Sequence, residues 1–151
     1  MFGVQWDLVL KYLETKGTAQ ADLKTDSTKW GNYKNNLWEI TNKNSKYAIY
    51  NTTNFKLGGW TSGAYGKKDS NNDEILLSTG ASDVFSKQGI YDFAGNALEW
   101  TLEYTSNTSY PCASRGGCFG NSGNVFPAVD SSDGSRTGNY YDYVGFRVSL
   151  F

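Results

Sequence analysis

The sequence predicts an α+β fold that is irregular and rich in ordered loops, with few long helices and several short strands. Glycine supplies 17 of the 151 residues and tyrosine 11, and asparagine and serine are also abundant, which favours turns and loops. Aromatic residues make up 16% of the chain and charged residues 19%, a balance that excludes an intrinsically disordered chain. One segment has the periodicity of a helix, whereas several short segments have the composition of strands.

The helix is predicted near the amino terminus, over residues 4–15. Apolar side chains there include two pairs with helical i, i+4 spacing, Leu8 with Tyr12 and Val9 with Leu13. Gly17 follows and provides a natural end to the helix.

Five short segments are predicted to be strands, because their apolar residues alternate with polar ones or are bounded by turn residues. They cover residues 38–40, 47–50, 75–79, 98–101 and 144–151. Between them, Trp30 and Tyr33 are expected to anchor a polar stretch, and Trp60 and Tyr65 to anchor a loop rich in Gly, Ser and Asn. No linker, charge block or internal repeat divides the chain, so residues 1–151 are predicted to form a single domain.

The composition excludes several classes of function. The formal net charge is −1, so the chain lacks the basic surface that drives non-specific binding to nucleic acids. The sequence contains no histidine, which excludes Ser-His-Asp and Cys-His nucleophiles and removes the commonest metal ligand. No apolar run approaches the roughly 18 residues of a membrane span, and residues 1–7 lack the features of a signal peptide. The sequence does not indicate a particular cellular compartment.

Two cysteines, Cys112 and Cys118, flank the run Ala-Ser-Arg-Gly-Gly. A zinc site normally needs four ligands, and neither histidine nor further cysteine is available. We expect free, packed thiols, although the sequence leaves a disulfide open because its geometry cannot be read from spacing.

Four motifs, in order along the chain, carry a resemblance to a known family. Residues 89–101, G-I-Y-D-F-A-G-N-A-L-E-W-T, resemble the signature G-L-Y-D-M-x-G-N-V-W-E-W-T of formylglycine-generating enzyme (sulfatase-modifying) domains. Arg115-Gly116-Gly117 and Gly145-Phe146-Arg147 resemble that family's R-G-G and G-F-R motifs. Gln5-Trp6 resembles its T-E-x-Q-W-E helix, so the resemblance spans nearly the whole chain.

The resemblance implies a C-type lectin-like fold of the formylglycine-generating enzyme type, with two helices and small antiparallel sheets. In that family a long segment with an opening strand precedes the Gln-Trp helix, so the resemblance implies that the family's amino-terminal portion is absent here. The sheet edge left by that strand would be exposed or paired. This predicts self-association or pairing with the missing amino-terminal segment.

The resemblance also argues against catalysis. Family enzymes hold copper with two cysteines, and the corresponding positions here are Asn121 and Phe126. Neither side chain supplies the soft thiolate ligand that this copper chemistry needs. A related iron-dependent branch relies on histidines, which this chain lacks. We therefore predict that the protein is not an enzyme; the alternative is a copper-dependent formylglycine-generating oxidase that acts on a cysteine-containing peptide through a site not recognised in the sequence.

The same fold is used by the variable proteins of diversity-generating retroelements of gut bacteria and their phages. Error-prone copying in those systems turns AAY codons into NNY codons, which cannot encode Lys, Gln, Glu, Met or Trp. Residues 118–144 contain none of these five residue types. The resemblance thus implies a variable ligand-binding region over residues 118–144, displayed on a virion or a bacterial surface. The alternative is a binding domain of the same fold with a fixed sequence.

The predicted partner is a protein or another macromolecule, bound by an exposed carboxy-terminal surface. Its tyrosines would supply large contacts at low entropic cost, whereas Phe126 and Val144 could instead belong to the core. Trp100 and Phe146 are expected to fill that core. The candidate ligand-binding residues are Cys118, Phe119, Val125, Phe126, Val129, Asp130, Ser132, Asp133, Tyr140, Tyr141, Asp142 and Tyr143.

The predicted ligand binding requires no cofactor. The resemblance suggests a structural calcium ion. Family enzymes bind calcium at positions that match Asp92, Gly95, Ala97 and Glu99, where carboxylates and main-chain carbonyls offer hard oxygen ligands. Alternatively, Glu99 is a buried carboxylate that accepts backbone N–H groups or pairs with Arg115 or Arg147. The sequence leaves both arrangements open.

Overall fold

The computed structural model describes residues 1–133 and 141–148, which form an α+β fold that is rich in loops, as predicted. This part of the chain holds two α-helices, α1 (Gly3–Thr15) and α2 (Gln20–Lys24). It also holds two 3₁₀ turns, Thr28–Trp30 and Asp83–Phe85. Tyr140, one of the candidate ligand-binding residues, lies outside the described residues.

The described strands are short and form small sheets. They are β1 (Trp38–Ile40), β2 (Lys46–Asn51), β3 (Lys56–Leu57), β4 (Thr61–Ser62), β5 (Gly66–Lys68), β6 (Ile75–Leu77), β7 (Ser86–Lys87), β8 (Ile90–Tyr91), β9 (Leu98–Tyr104), β10 (Cys112–Arg115), β11 (Ser131–Asp133) and β12 (Val144–Phe146). One sheet has the order β11-β10-β9-β12, and in another β2 pairs with β3, β4 and β6. Strands β1 and β5, and β7 and β8, form two-stranded sheets. Each segment predicted to be a strand overlaps an observed one.

All described strand pairs are antiparallel except one. Strand β12 runs parallel to β9, with Val144 opposite Leu98 and Phe146 opposite Trp100. Strand β12 forms an edge of its sheet. Because its first residue lies opposite the first residue of β9 in a parallel pair, the residues that precede β12 lie beside the start of β9. That approach shapes the candidate site described below.

Helix α1 covers the predicted segment and packs one face against the first of two apolar clusters. The indole of Trp6 stacks on Phe93 with ring centroids 3.9 Å apart. Leu8 and Tyr12, the pair that helped to predict the helix, lie on its solvent side. The buried members of the cluster are Trp6, Leu10, Leu13, Leu23, Trp30, Tyr33, Phe93, Ala94 and Ala128, so the anchoring role predicted for Trp30 and Tyr33 is confirmed.

The second apolar cluster lies between β1, β6 and the second 3₁₀ turn. Its buried members are Trp38, Ile40, Ile75, Leu77, Ala81 and Phe85. Tyr65 packs against the edge of the Trp38 ring, so this part of the loop prediction is confirmed. The prediction that Trp60 is an anchor was wrong: its side chain is 55% exposed, because it lies at the surface between β3 and β4.

Asn32 and Asn96 link the loop that precedes β9 to strand β6. The Asn96 side chain pairs with Leu77 as a strand would: its Oδ1 accepts from the Leu77 N–H at 3.0 Å and its Nδ2 donates to the Leu77 carbonyl at 3.0 Å. Asn32 Nδ2 donates to Asn96 Oδ1 and to the carbonyl of Ile75. Gly95 has a φ of +69°, and a Cβ there would lie 2.5 Å from the Asn32 carbonyl oxygen, so glycine is required.

The prediction that Trp100 and Phe146 fill the core was wrong. Phe146 is 77% exposed and Trp100 is half-buried. Strand β9 turns Glu99 and Thr101 inward, and the alternation of a strand then directs Trp100 and its neighbour Phe146 to the opposite face. No described element covers that face beside the edge strand β12 sufficiently to bury Phe146.

Candidate ligand-binding site

A cavity of about 320 Å³ opens where the pocket loop, residues 116–130, meets strands β2 and β9. Tyr50 reaches it from β2, Leu98 from the start of β9, and Tyr143 from the segment just before β12. Its lining consists of Tyr50, Glu74, Leu98, Cys118, Phe119, Gly120, Asn121, Phe126, Ser132 and Tyr143. The cavity therefore brings the predicted ligand-binding region together with residues from the first half of the chain.

Aromatic rings form much of the wall of this cavity. The rings of Tyr50 and Phe119 have centroids 5.7 Å apart and an interplanar angle of 57°, so they meet at a corner. Tyr143 packs against Tyr141 with centroids 5.3 Å apart. Partial burial raises the pKa of both Tyr50 and Tyr143 above the usual range for a phenol. These hydroxyls are consequently neutral at physiological pH and can donate hydrogen bonds to a ligand.

The cavity is also lined by a carboxylate and a thiol, those of Glu74 and Cys118. Burial raises the pKa of the Glu74 carboxyl, although Lys34 and Lys68 act to lower it. Within the described parts of the chain, no hydrogen bond or salt bridge reaches this carboxylate. Burial also raises the pKa of the Cys118 thiol to about 11. The thiol is therefore protonated at neutral pH and is a poor nucleophile and metal ligand.

The loop that carries Cys118 and Phe119 is fixed by residues on both sides of it. Gly116 and Gly117 adopt φ values of +87° and +70°, and the Tyr33 hydroxyl donates to the Gly116 carbonyl at 2.9 Å. Asn121 Oδ1 accepts a hydrogen bond from the Cys118 N–H at 2.9 Å. The Asn121 side chain thus braces the loop.

The structure gathers five of the candidate ligand-binding residues at this cavity. They are Cys118, Phe119, Phe126, Ser132 and Tyr143. The expectation that all candidates are exposed was wrong for Cys118 and Phe119, which are 7% and 2% exposed. Their backbone follows the glycine turn into the protein, so these two residues form the floor of the cavity. Phe126 and Val144, left open between core and surface, are both half-buried.

The other described candidates lie around the cavity or away from it. Val129 packs against the first apolar cluster and Val125 is 61% exposed, so neither reaches the cavity. Asp142 is exposed, and its Oδ2 accepts a hydrogen bond from the Leu57 N–H at 3.1 Å. Asp130 is half-buried and accepts from the Ser132 hydroxyl, and burial raises its pKa. Asp133 pairs with Ala113 through the main chain of β11.

Sequence reasoning missed Tyr50, Glu74 and Leu98 as members of the site. Tyr50 is positioned by its strand, since its N–H donates to the carbonyl of Glu74 at 2.8 Å. The only local signal was a carboxylate directly before the apolar run of β6. Such a signal does not identify a site, because the residues that line the cavity with Glu74 come from several segments, all distant from it along the chain.

Two of the residues proposed as calcium ligands, Asp92 and Glu99, bind an arginine. Arg147 donates through Nε to Glu99 Oε2 at 2.9 Å and through Nη2 to Glu99 Oε1. Glu99 is therefore paired with Arg147, as in the alternative to calcium binding. The same Nη2 donates to the carbonyls of Tyr91 and Asp92. Arg115, the other proposed partner, binds Glu103 instead.

Asp92 is buried behind this ion pair. Its Oδ2 accepts from the Gly80 N–H at 2.8 Å, whereas its Oδ1 has no hydrogen-bond partner. Burial raises the pKa of this carboxyl to about 6. Across residues 1–133 and 141–148, no three His, Cys, Asp or Glu side chains are grouped as a metal site would require. Calcium binding at this loop, including the parts assigned to Gly95 and Ala97, stays a prediction.

Cys112 and Cys118 are both free thiols, as expected. Neither of the described helices has the length and apolar character needed to traverse a bilayer. A comparison of the chain with protein-family models, with curated proteins and with solved structures finds no match in any of the three. The functional assignment therefore depends on the site itself.

Proposed function

We propose that this chain is a non-catalytic binding protein whose carboxy-terminal half recognises a macromolecule, namely another protein. The observation that carries the proposal is how the pocket loop is held. Its side chains line the cavity, whereas upstream residues outside the loop fix its backbone. A surface of this kind can change its side chains without losing its shape, which a recognition surface requires.

The hydrogen bonds that fix the loop come from the amino-terminal part of the chain. They join Trp6 Nε1 to the carbonyl of Ala128 at 2.9 Å, Ser27 Oγ to the N–H of Ala128 at 2.9 Å, Asn35 Oδ1 to the N–H of Gly123 at 3.0 Å, and the Lys34 N–H to the carbonyl of Asn121 at 2.9 Å. None of these bonds uses a side chain that lines the cavity. Substitutions at Phe126, Ser132 and Tyr143 thus leave these four bonds intact, whereas Asn121 lines the cavity and also braces the loop through its bond from the Cys118 N–H.

We further propose that the fold is C-type lectin-like, of the formylglycine-generating enzyme type, and that residues 118–144 are diversified by a retroelement. The motif resemblance and the absence of Lys, Gln, Glu, Met and Trp from this region support the proposal. Display on a virion or bacterial surface is part of the same proposal. A fixed-sequence binding domain of this fold would use the same cavity.

The chemistry of the cavity supports a role without catalysis. A copper site of the family type needs thiolates, but the Cys118 thiol has its pKa raised to about 11. Asn121 braces the loop and Phe126 lines the cavity with an aromatic ring. Copper titration with an activity assay on a cysteine-containing peptide tests this part: stoichiometric copper bound through Cys112 and Cys118 would contradict it.

A substitution-tolerance experiment tests the proposed binding surface. One displayed library randomises Phe126, Ser132 and Tyr143 with NNY codons, and a matched library randomises Ser27, Tyr33 and Asn35. We expect most members of the first library to resist protease and most of the second to be cleaved. If the first library folds as rarely as the second, the cavity residues are structural and the proposal fails.

Sequencing the genomic locus separates variable from fixed binding. A reverse transcriptase gene beside a near-repeat of the gene end, differing at template adenines, is expected for the variable protein. A locus with neither feature would assign the chain to the fixed-sequence alternative.

A further inference from the structure

The cavity joins several aromatic faces to one acidic group. Tyr50, Phe119, Phe126 and Tyr143 contribute rings, and Glu74 contributes the carboxylate. The faces of aromatic rings carry negative electrostatic potential and attract cations within about 6 Å of the ring centroid. A ligand group that satisfies both the rings and the carboxylate must be positively charged and partly apolar.

Among residues 1–133 and 141–148, no lysine or arginine forms a salt bridge with Glu74. Lys68 is buried and its Nζ donates to the carbonyls of Tyr33, Lys34 and Asn36 at 3.0, 2.7 and 2.8 Å, so its donors are already used. Lys34 influences the carboxylate, but no salt bridge joins the two within the described chain. The pKa of Glu74 is nevertheless raised, because burial raises it by more than the two lysines lower it.

The Glu74 carboxylate also lies close to the pocket loop. A Cβ built on Gly120 would lie 3.1 Å from Glu74 Oε2, so the carboxylate rests against the backbone of the pocket loop. The cavity volume of about 320 Å³ lies at the lower end of the ~300–1,000 Å³ typical of ligand sites. That size suits a single side chain or a small head group.

We infer that this pocket binds an organic cation, the ammonium or guanidinium group of a lysine or arginine side chain presented by the protein ligand. The inference rests on the proposed binding function and names the chemical group that the pocket selects. Aromatic faces would surround the cation while Glu74 accepts its hydrogen bonds. Cys118 stays a neutral thiol on the floor.

The test uses the intact chain and amide chemical shifts of Cys118, Phe119 and Gly120. The probes are Nα-acetyl-arginine methylamide, its neutral isostere Nα-acetyl-citrulline methylamide and Nα-acetyl-aspartate methylamide. We expect the arginine probe to bind at least about tenfold more tightly than the citrulline probe, since it adds charge-assisted hydrogen bonds. Glu74→Gln should remove that difference, and the neighbouring Asp73→Asn, whose side chain does not line the cavity, should retain it.

The outcomes separate this inference from the proposed function. Equal binding of the arginine and citrulline probes, or tighter binding of the aspartate probe, would overturn the inference that the pocket selects a cation. Either result would still show that the pocket binds a ligand. No shift of the pocket amides with any probe would also overturn it, and the two display libraries then judge the proposed function independently. If Glu74→Gln fails to fold, the comparison of arginine with citrulline on the natural sequence still decides.

Methylguanidinium distinguishes the two sources of the cation. Tighter binding of the arginine amide than of methylguanidinium supports a side chain presented by a protein. Equal binding would overturn the protein-borne source and assign the pocket to a free organic cation.

Discussion

The indole nitrogen of Trp6 donates a buried hydrogen bond of 2.9 Å to the carbonyl oxygen of Ala128, 122 positions further along the chain. The same ring stacks on Phe93, which precedes the Gly95-Asn96 turn. Helix α1, the loop before β9 and the pocket loop therefore meet at one side chain. The shape of the candidate site depends on a residue that does not line it.

Trp6→Phe should destabilise the protein by about 2 kcal/mol, because the Ala128 carbonyl loses its buried donor and the smaller ring leaves a gap. Chemical denaturation measures the change in the free energy of unfolding. Trp60→Phe is the matched control: Trp60 is 55% exposed, and its replacement should change stability by less than about 0.5 kcal/mol. Equal losses in the two variants would contradict the prediction.

Lys68→Met should destabilise the protein by about 3 kcal/mol, since one buried and two partly buried carbonyl oxygens lose the ammonium that they share. The neighbouring Lys67 is the control, because its side chain is 71% exposed and its ion pair with Asp69 spans 3.8 Å. Lys67→Met should cost within about 0.5 kcal/mol. Thermal melts of both variants beside the natural protein check this; similar melting temperatures for the two variants would refute it.

The buried carboxyl of Asp92 should make the folded protein less stable as the pH rises. Its folded pKa of about 6 exceeds the ordinary 3.8, so the folded state binds the proton more tightly than the unfolded state. The stabilisation is fully present below about pH 4 and is lost as the pH rises through 6, a change on the order of 2–3 kcal/mol. Unfolding at pH 4.5 and 7.5 should show a smaller pH dependence for Asp92→Asn. Unchanged dependence in the variant would argue against it.

Arg147→Met should cost about 3–5 kcal/mol, because Glu99 loses its buried ionic partner and lies near Asp92. Lys87→Met is the control, since its ion pair with Asp22 is partly exposed and should contribute less than about 1 kcal/mol. Excess chelator should leave the melting temperature of the natural protein unchanged, because the guanidinium supplies positive charge at this loop. A fall on chelation would instead support calcium.

Phe146→Ala should change stability by less than about 1 kcal/mol, because the ring is 77% exposed at the edge strand. Phe93→Ala is the buried comparison: this ring is 1% exposed and stacked on Trp6, and its loss should cost about 3–5 kcal/mol. Urea denaturation of the pair checks the ranking. A reversed order would show that the outer face of β9 and β12 is part of the core.

Local patterns in the sequence were sufficient for helix α1 and five of the described strands. The i, i+4 spacing predicted helix α1 within one residue of its observed start, because helical periodicity is a property of neighbouring residues. The short apolar runs predicted β1, β2, β6, β9 and β12, because the composition of a strand is also a property of neighbouring residues. Gly95 and Asn96, which lie in the motif of residues 89–101, are both buried.

The sequence by itself determined the loop-rich α+β class, the short strands and the lack of histidine chemistry. Only the tertiary structure decided that Glu99 binds Arg147 rather than Arg115, and that Trp100 and Phe146 face outward. It alone placed Tyr50 and Glu74 beside Cys118 and Phe119. The physical reason is that burial and pairing across a sheet depend on which distant segments meet, whereas periodicity reports only which side of its own element a residue occupies.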